Sequence, residues 1–237
     1  MTNPRIETIP MLPFGMLNAF LLIKGDSAIL VDTGLPNSAR RVENALKKNG
    51  LGWSNLRLIV LTHAHIDHAG SAADLRDLSS APIIAHEAEL AYCQGRTPIF
   101  LPTRWFGRLF RMTGAIQRPF RYFTPDLIVS GDGHDLSDYG ISARLLFTPG
   151  HTPGSLSLLL ENGGVLAGDL AASGILLGGI ARKNRPIQPP FEESPRQVAA
   201  SLRLLLSQGC TRFFLGHGGP LTAREIDRHI RNLDAKS

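Results

Sequence analysis

Four short stretches of this chain carry residues able to do chemistry: Thr62-His63-Ala64-His65-Ile66-Asp67-His68, Gly150-His151-Thr152-Pro153-Gly154, Gly168-Asp169 and Gly216-His217-Gly218. Together they bring five histidines and two aspartates, and each stretch follows an apolar run. Imidazole nitrogen and carboxylate oxygen are the donors that divalent zinc takes in tetrahedral or five-coordinate sites. The set is large enough for two metal ions, and neither composition nor folding stability demands it. The chemistry implied is metal-assisted hydrolysis, in which bound water ionises near neutral pH. On an extended segment His63 and His65 share a face, because alternate side chains point the same way. Asp67 and His68 follow where the chain turns into a helix beginning near Ala69-Gly70. One strand end can thus offer two donors to one ion and two to its neighbour.

The elements that must position these residues are legible from the hydrophobic pattern. Asn18 to Ile23 and Ala28 to Asp32 read as two strands joined by a turn at Lys24-Gly25-Asp26-Ser27. Ser38 to Asn49 reads as a helix that buries Val42, Ala45 and Leu46 and stops at Gly50. Leu56 to Thr62 is a continuous apolar run, the pattern of a buried strand, and it delivers His63. A helix over Gly70 to Leu78 and a strand over Pro82 to Ala85 follow. In the second half, Ala143 to Phe147 leads to His151, and Ser155 to Leu160 pairs with Val165 to Ala167 ahead of Asp169. Ser194-Pro195-Arg196-Gln197 is a capping-box start for a helix running to Gly209. Arg212 to Leu215 is the last strand and delivers His217. Every donor therefore lies just beyond the C-terminal end of a strand, where layered α/β folds place their sites.

Composition sets the frame. The 237 residues are 43% hydrophobic with 24 glycines, which describes a packed globular chain. No stretch approaches the roughly 18 apolar residues of a membrane span, and Met1 to Pro13, with Glu7 and three prolines, does not read as a secretory signal. Cys93 and Cys210 are far apart and read as two reduced thiols, so the expected compartment is the cytoplasm. Net charge is +5, and a charge spread along the chain is compatible with an ordinary solvated surface. Nothing matches a glycine-rich phosphate loop between strand and helix. His86, His134 and His229 fall outside the pattern and read as surface or turn residues.

The donor stretches resemble the signature of the metallo-β-lactamase superfamily, His-x-His-x-Asp-His followed by His, Asp and His. The resemblance runs from about Asn18 to Pro220 and includes Val31-Asp32-Thr33-Gly34 and Thr148-Pro149-Gly150-His151. It implies an αββα sandwich forming one domain over residues 1–237. It implies that His63, His65 and His151 hold one zinc ion, that Asp67, His68 and His217 hold a second, and that Asp169 bridges them; iron or manganese can fill the same donors. Asp67 is then also the catalytic residue that orients the attacking hydroxide, and Asp32 orients a ligand. The expected reaction is attack of metal-bound hydroxide on the carbonyl of a small-molecule ester, lactone or thioester. The β-lactam hydrolases, mononuclear iron persulfide dioxygenases and phosphodiesterases or nucleases are the alternatives.

Departures from family patterns narrow the substrate. His65 stands where the redox di-iron branch has glutamate, and Asp169 stands where antibiotic-hydrolysing members usually have cysteine or serine. Ala172 occupies the place of a tyrosine in the acyl-homoserine lactonases. Glyoxalase II adds a helical glutathione-binding tail, and the chain stops about twenty residues after His217. The segment from about 93 to 125 is a basic, aromatic insert. It holds Arg96, Arg104, Arg108, Arg111, Arg118 and Arg121 with no acidic residue, interleaved with seven aromatic side chains. If Thr103 to Met112 is helical, Arg104, Arg108 and Arg111 share one face and Trp105, Leu109 and Met112 another. Three roles fit it: a lid over an apolar pocket with Trp105 and Phe106 against substrate, a homodimer contact, or a membrane-surface or nucleic-acid patch, nucleic acid being the less expected partner. Ser173 to Phe191 is too long for a simple connection, and Arg182 or Arg185 is expected to hold a substrate carboxylate there.

Overall fold

The computed structural model describes residues 3–103, 105–131, 133–175, 177 and 181–235. In chain order the elements are β1 (Arg5–Leu12), β2 (Leu17–Lys24), β3 (Ser27–Val31), α1 (Ala39–Lys48), β4 (Leu56–Val60), α2 (Ile66–Ala69), α3 (Ala72–Ser79), β5 (Ile83–His86), α4 (Leu90–Cys93), α5 (Trp105–Met112) and β6 (Leu127–Val129). The second half supplies β7 (Gly133–Asp135), β8 (Ala143–Phe147), β9 (Leu156–Leu160), β10 (Gly164–Leu166), β11 (Ala172–Ser173), β12 (Pro186–Ile187), α6 (Pro195–Ser207), β13 (Arg212–Phe214), β14 (Leu221–Thr222) and α7 (Ala223–Asp234).

One sheet has the order β1-β2-β3-β4-β5-β6 and the other β14-β13-β10-β9-β8-β7. From β3 to β6 the first sheet is parallel, so β3 and β4 end on the same edge. In the second sheet only β10 and β13 run parallel, which puts Asp169 and His217 beyond neighbouring strand ends. Three apolar layers hold the molecule together. Leu22, Ile29, Leu58 and Val60 meet Leu145, Leu158 and Leu166 between the sheets. Val42, Leu46 and Leu75 cover the outer face of the first sheet, and Val198, Leu202, Ile226 and Ile230 that of the second. This is the αββα sandwich. Buried strands such as β9 (Leu-Ser-Leu-Leu-Leu) are apolar at nearly every position because both of their faces are covered.

Several elements depart from the sequence reading. The helix expected over Gly70 to Leu78 is α3, and the short α2, which the sequence reading did not separate, precedes it across Gly70-Ser71. Gly70 packs so tightly on Pro36 and the Ile66 carbonyl that a Cβ would overlap both. Residues 5–12 form an edge strand paired along β2, with its solvent face polar and Pro10 tolerated at the edge. The final helix α7 was not anticipated, although Thr222 and Glu225 form a reciprocal capping box that signals its start. Cys93 and Cys210 are free and buried. His134 is exposed as expected, whereas His86 and His229 are buried, not surface or turn residues. Burial holds His86 below its ordinary pKa, and its Nδ1 accepts the Ala88 N–H while the ring stacks on Phe147. His229 lies with Ile226, Ile230 and Leu233 among the buried positions of α7.

Candidate metal centre

Each donor stretch is fixed by its own element before any ion is considered. β4 ends at Val60, the chain bends at Thr62, and His65 precedes α2 in extended form with φ −70° and ψ 152°. Asp67 and His68 then fall on the first turn of α2. β8 leads to His151, β10 to Asp169 and β13 to His217. All seven predicted donors meet at this common edge, and all but Asp67 are buried.

Their donor atoms form three overlapping groups: His63, His65 and His151; His63, His68 and Asp169; and Asp67, His68 and His217. His151 Nε2 is 3.2 Å from His65 Nδ1, His217 Nε2 is 3.4 Å from Asp67 Oδ2, and Asp169 lies 3.4 Å from His68 Nε2 and 3.2 Å from His217 Nε2. Two donors about 2.0–2.1 Å from a tetrahedral ion stand about 3.3 Å apart, so these separations match edges of a coordination tetrahedron. Asp169 Oδ2 is also 3.7 Å from His151 Nε2, which places this one carboxylate against both groups. His63 Nε2, His68 Nε2, Asp67 Oδ1 and Asp169 Oδ1 are buried without a hydrogen-bond partner. Buried polar atoms are rarely left so. A metal ion held among these donors would satisfy such atoms, and the His/Asp set fits one.

Hydrogen bonds behind the donors fix which nitrogen faces inward. Asp32, with φ 61° at the end of β3, accepts from His68 Nδ1 at 2.8 Å and from the Thr62 N–H at 2.8 Å. The Thr62 hydroxyl donates to the same carboxylate at 2.9 Å and stands 3.0 Å from His63 Nδ1. His217 Nδ1 donates to the Met16 carbonyl. His63, His68 and His217 therefore turn Nε2 inward, the orientation a ligand histidine needs. The expected orienting position of Asp32 is where the structure places it, and Thr62 extends its reach to a second histidine.

Charge follows burial and neighbours. Burial lowers His65 to about 3 and His151 to about 4, and it holds His63 well below its ordinary value, with the adjacent histidines adding to the effect. For His217 burial acts the same way, but Asp169 and Asp67 outweigh it and raise the group to about 10. His68 is raised well above its ordinary value, since Asp169, Asp32 and Asp67 overcome its burial. Burial opposes ionisation of Asp67 and Asp169, yet His68 and His217 hold both below the usual carboxylate range. In the protein alone, protons at His68 and His217 balance the carboxylates. A metal ion would take over that task.

Two side chains that sequence reasoning missed tie the donor loops together. Glu89, buried between the halves, accepts from the Ala64 N–H at 2.8 Å and the Gly154 N–H at 2.9 Å, joining the His63–His65 loop to the His151 loop. Its only local sign is an acidic residue three positions after β5. Asn18 donates Nδ2 to the Leu215 and Gly218 carbonyls at 3.2 and 3.1 Å, anchoring the His217 loop to β2. At Gly216 a Cβ would overlap the Asp169 carboxylate and the His68 ring.

Above the donors opens a cavity of about 650 Å³. Asp67, whose side chain is 18% exposed, faces it along with His65, His151, Asp169 and His217. Its walls are apolar: Leu17, Leu35, Ile66, Phe106, Ile116 and Phe191 among them. Phe106 is one of its lining residues. Trp105 is not: it turns outward, 72% exposed, because successive helical residues point about 100° apart around α5. Arg182 and Arg185 line a separate depression with Arg228 and Asn232, so neither is placed to hold a substrate carboxylate over the donors. Among the described residues the arginine lining the cavity is Arg118. Arg104 lies outside the described residues.

The sequence model of the metallo-β-lactamase superfamily matches residues 12–217, from the end of β1 to the last of the donor histidines. The chain belongs to this superfamily. Among curated members it is 27% identical over 220 residues to the probable metallo-hydrolase YflN of Bacillus subtilis, covering 87% of this chain and 81% of the relative. It is 25% identical over 245 residues to the hydroxyacylglutathione hydrolase GloC of Haemophilus influenzae, covering 98% and 99%. Among solved structures, an archaeal superfamily protein from Sulfolobus tokodaii superposes with a TM-score of 0.70 at 18% identity, over 98% of this chain and 87% of the other. This likeness shows the shared superfamily fold.

Proposed function

We propose that this superfamily member is a dinuclear metal-dependent hydrolase that cleaves an ester, lactone or thioester with an apolar acyl part, zinc being the metal its donors suit best. The observation that carries the reading is the Asp169 carboxylate, in reach of both donor groups on the floor of an apolar cavity. In this reading His63, His65 and His151 would hold one ion and Asp67, His68 and His217 the other, with the Asp169 carboxylate within reach of both groups. A bound pair of divalent ions supplies a hydroxide nucleophile near neutral pH and an electrophile for the carbonyl oxygen.

The chain's own residues do the rest. Asp67, partly open to the cavity, orients the nucleophile by accepting its proton and delivers a proton to the leaving group. Leu17, Ile66, Ile116 and Phe191 seat the acyl part and exclude bulk water, which strengthens the charge interactions at the carbonyl. Arg118 offers a positive charge to an anionic group outside the scissile bond. Asp32 and Thr62 keep His68 and His63 in register, and Glu89 keeps the His151 loop at a fixed distance from the β4 loop. A thioester substrate is also supported by the likeness to a hydroxyacylglutathione hydrolase along its whole length.

The test is turnover by the zinc-loaded protein of esters, lactones and thioesters in matched series of acyl length, beside β-lactams and phosphodiesters. The expected outcome is hydrolysis of one carbonyl class that quickens with acyl length, and its loss in Asp67→Asn. Turnover confined to β-lactams or phosphodiesters would overturn the substrate assignment. Oxygen uptake with a persulfide by an iron-loaded form, with no hydrolysis, would overturn the reaction.

A further inference from the structure

The outward side of α5 is apolar and exposed. Trp105, Leu109 and Met112 recur one helical turn apart and are 72%, 55% and 83% exposed. Ile99 and Leu101, just before the helix, are about half exposed as well. Scattered exposed apolar residues are ordinary, but a contiguous group marks a contact surface. The opposite side of the helix is occupied: Phe106 and Phe110 line the cavity, and Gly107 meets the Pro190 carbonyl so closely that no Cβ fits. Thr103 N–H donates to the Pro190 carbonyl at 3.0 Å and Glu192 N–H to the Leu101 carbonyl at 3.0 Å, so the helix is latched to the 189–192 segment. Its apolar stripe is therefore presented by a fixed support.

Charge identifies what covers the stripe. Arg108 and Arg111 flank it and Arg118 stands at the cavity, while no acidic residue occurs between Glu89 and Asp126. Arg121 is paired with Asp74 and Asp77 at 3.0 and 2.6 Å. Among the described residues no carboxylate pairs with Arg108, Arg111 or Arg118. A second copy meeting this face across a two-fold axis would bring arginines against arginines. Single-stranded nucleic acid stacks on aromatic platforms, and Trp105 is the one aromatic side chain of this stripe: Phe106, 37% exposed, faces the cavity and Tyr122, 44% exposed, packs on Phe120. A short apolar stripe that includes a tryptophan, rimmed by arginine, fits the headgroup region of an anionic bilayer.

We propose that Ile99 to Arg118 is a docking surface for an anionic lipid membrane, with Trp105, Leu109 and Met112 entering the headgroup layer and Arg108 and Arg111 contacting lipid phosphate. The surface shares α5 with the cavity wall, so docking brings the cavity mouth to the lipid. The binding claim stands apart from the hydrolytic reading, and its test uses no activity.

The full-length protein is sedimented with vesicles of equimolar phosphatidylglycerol and phosphatidylcholine, and with vesicles of phosphatidylcholine alone. Binding is expected for the anionic vesicles and is expected to weaken as salt is raised. Brominated lipid should quench tryptophan fluorescence in the wild type and not in Trp105→Phe, which retains only Trp53. The double variant Arg108→Glu/Arg111→Glu should bind about tenfold or more weakly, and Leu109→Ser/Met112→Ser should also lose binding. Lys24→Glu/Arg57→Glu, the same charge change at the opposite end of the first sheet, should bind as wild type does. Far-UV circular dichroism checks that each variant is folded. Absence of binding to anionic vesicles, or equal binding by the Arg108/Arg111 and Lys24/Arg57 variants, overturns the proposal. So does a wild-type dimer that Leu109→Ser/Met112→Ser converts to monomer, or single-stranded DNA that displaces the protein from vesicles and is itself bound through α5.

Discussion

At the scale of single residues, the site is built from groups whose protonation is set by what they touch. His217 is raised to about 10 despite its burial, and His68 is raised too, so both carry protons at neutral pH in the protein alone. A ligand imidazole must be neutral, so metal uptake should release protons, and apparent affinity should fall as pH falls. Calorimetric titration with zinc in buffers of different ionisation enthalpy is expected to show this release. Heats that do not depend on the buffer would exclude it. Asp67→Asn keeps the shape of the side chain but loses a carboxylate oxygen that can accept a proton. Its kcat is expected to fall by about 10²–10⁴, with unchanged circular dichroism and a metal content measured in parallel. Glu89 makes a different contribution. In Glu89→Gln an amide N–H₂ replaces one acceptor and faces a backbone N–H, which should cost about 1–3 kcal/mol in denaturant unfolding.

At the scale of elements, what matters is that five strand ends arrive at one edge with their loops mutually fastened. β3 brings Asp32 to the loop of β4 through the Thr62 N–H, and the Leu156 N–H donates to the Thr62 carbonyl at 2.8 Å, linking that loop to β9 in the other sheet. The loop after β13 is held from two sides, by Asn18 and by the Gly216 N–H donating to the Gly168 carbonyl at 2.9 Å. Gly216→Ala should force Asp169 and His68 apart without disturbing β13. Zinc affinity is expected to drop by about 10–100-fold, read by competition with a chromophoric chelator. Native affinity in this variant would mean that the loop yields more easily than its contacts suggest.

At the scale of the whole molecule, one buried cluster of titratable groups joins two sheets that otherwise meet through Leu and Val side chains. An ion bound only by the folded state stabilises it by mass action, by about 4 kcal/mol at a thousandfold excess over Kd. Dialysis against a chelator should therefore lower Tm by on the order of 10 °C, and zinc should restore it. An unchanged Tm would show that the two halves hold together without the ion. The long 93–125 and 173–191 segments, latched where Pro102 pairs with Phe191, form a common wall that gives the fold a cavity of its own.

The sequence by itself determined the donors, their order and most of the strands that carry them. Histidine and aspartate at these spacings have little use in a packed core, and strands buried on both faces cannot hide their apolar runs. The β1 strand is less legible because, at the sheet edge, Arg5, Thr8 and Pro10 stay exposed and interrupt its pattern, and α7 lies beyond the last donor with the Thr222–Glu225 capping box as its sign. Only the tertiary structure decided which way side chains outside the motif point. Trp105 and Phe106 are neighbours in sequence, yet the roughly 100° turn per helical residue sends one to solvent and the other into the cavity. Arg182 and Arg185 follow Asp169 closely in the chain but open onto another depression. Glu89 and Asn18 gain their roles from backbone groups 25 to about 200 residues away, and chain folding alone brings such partners together.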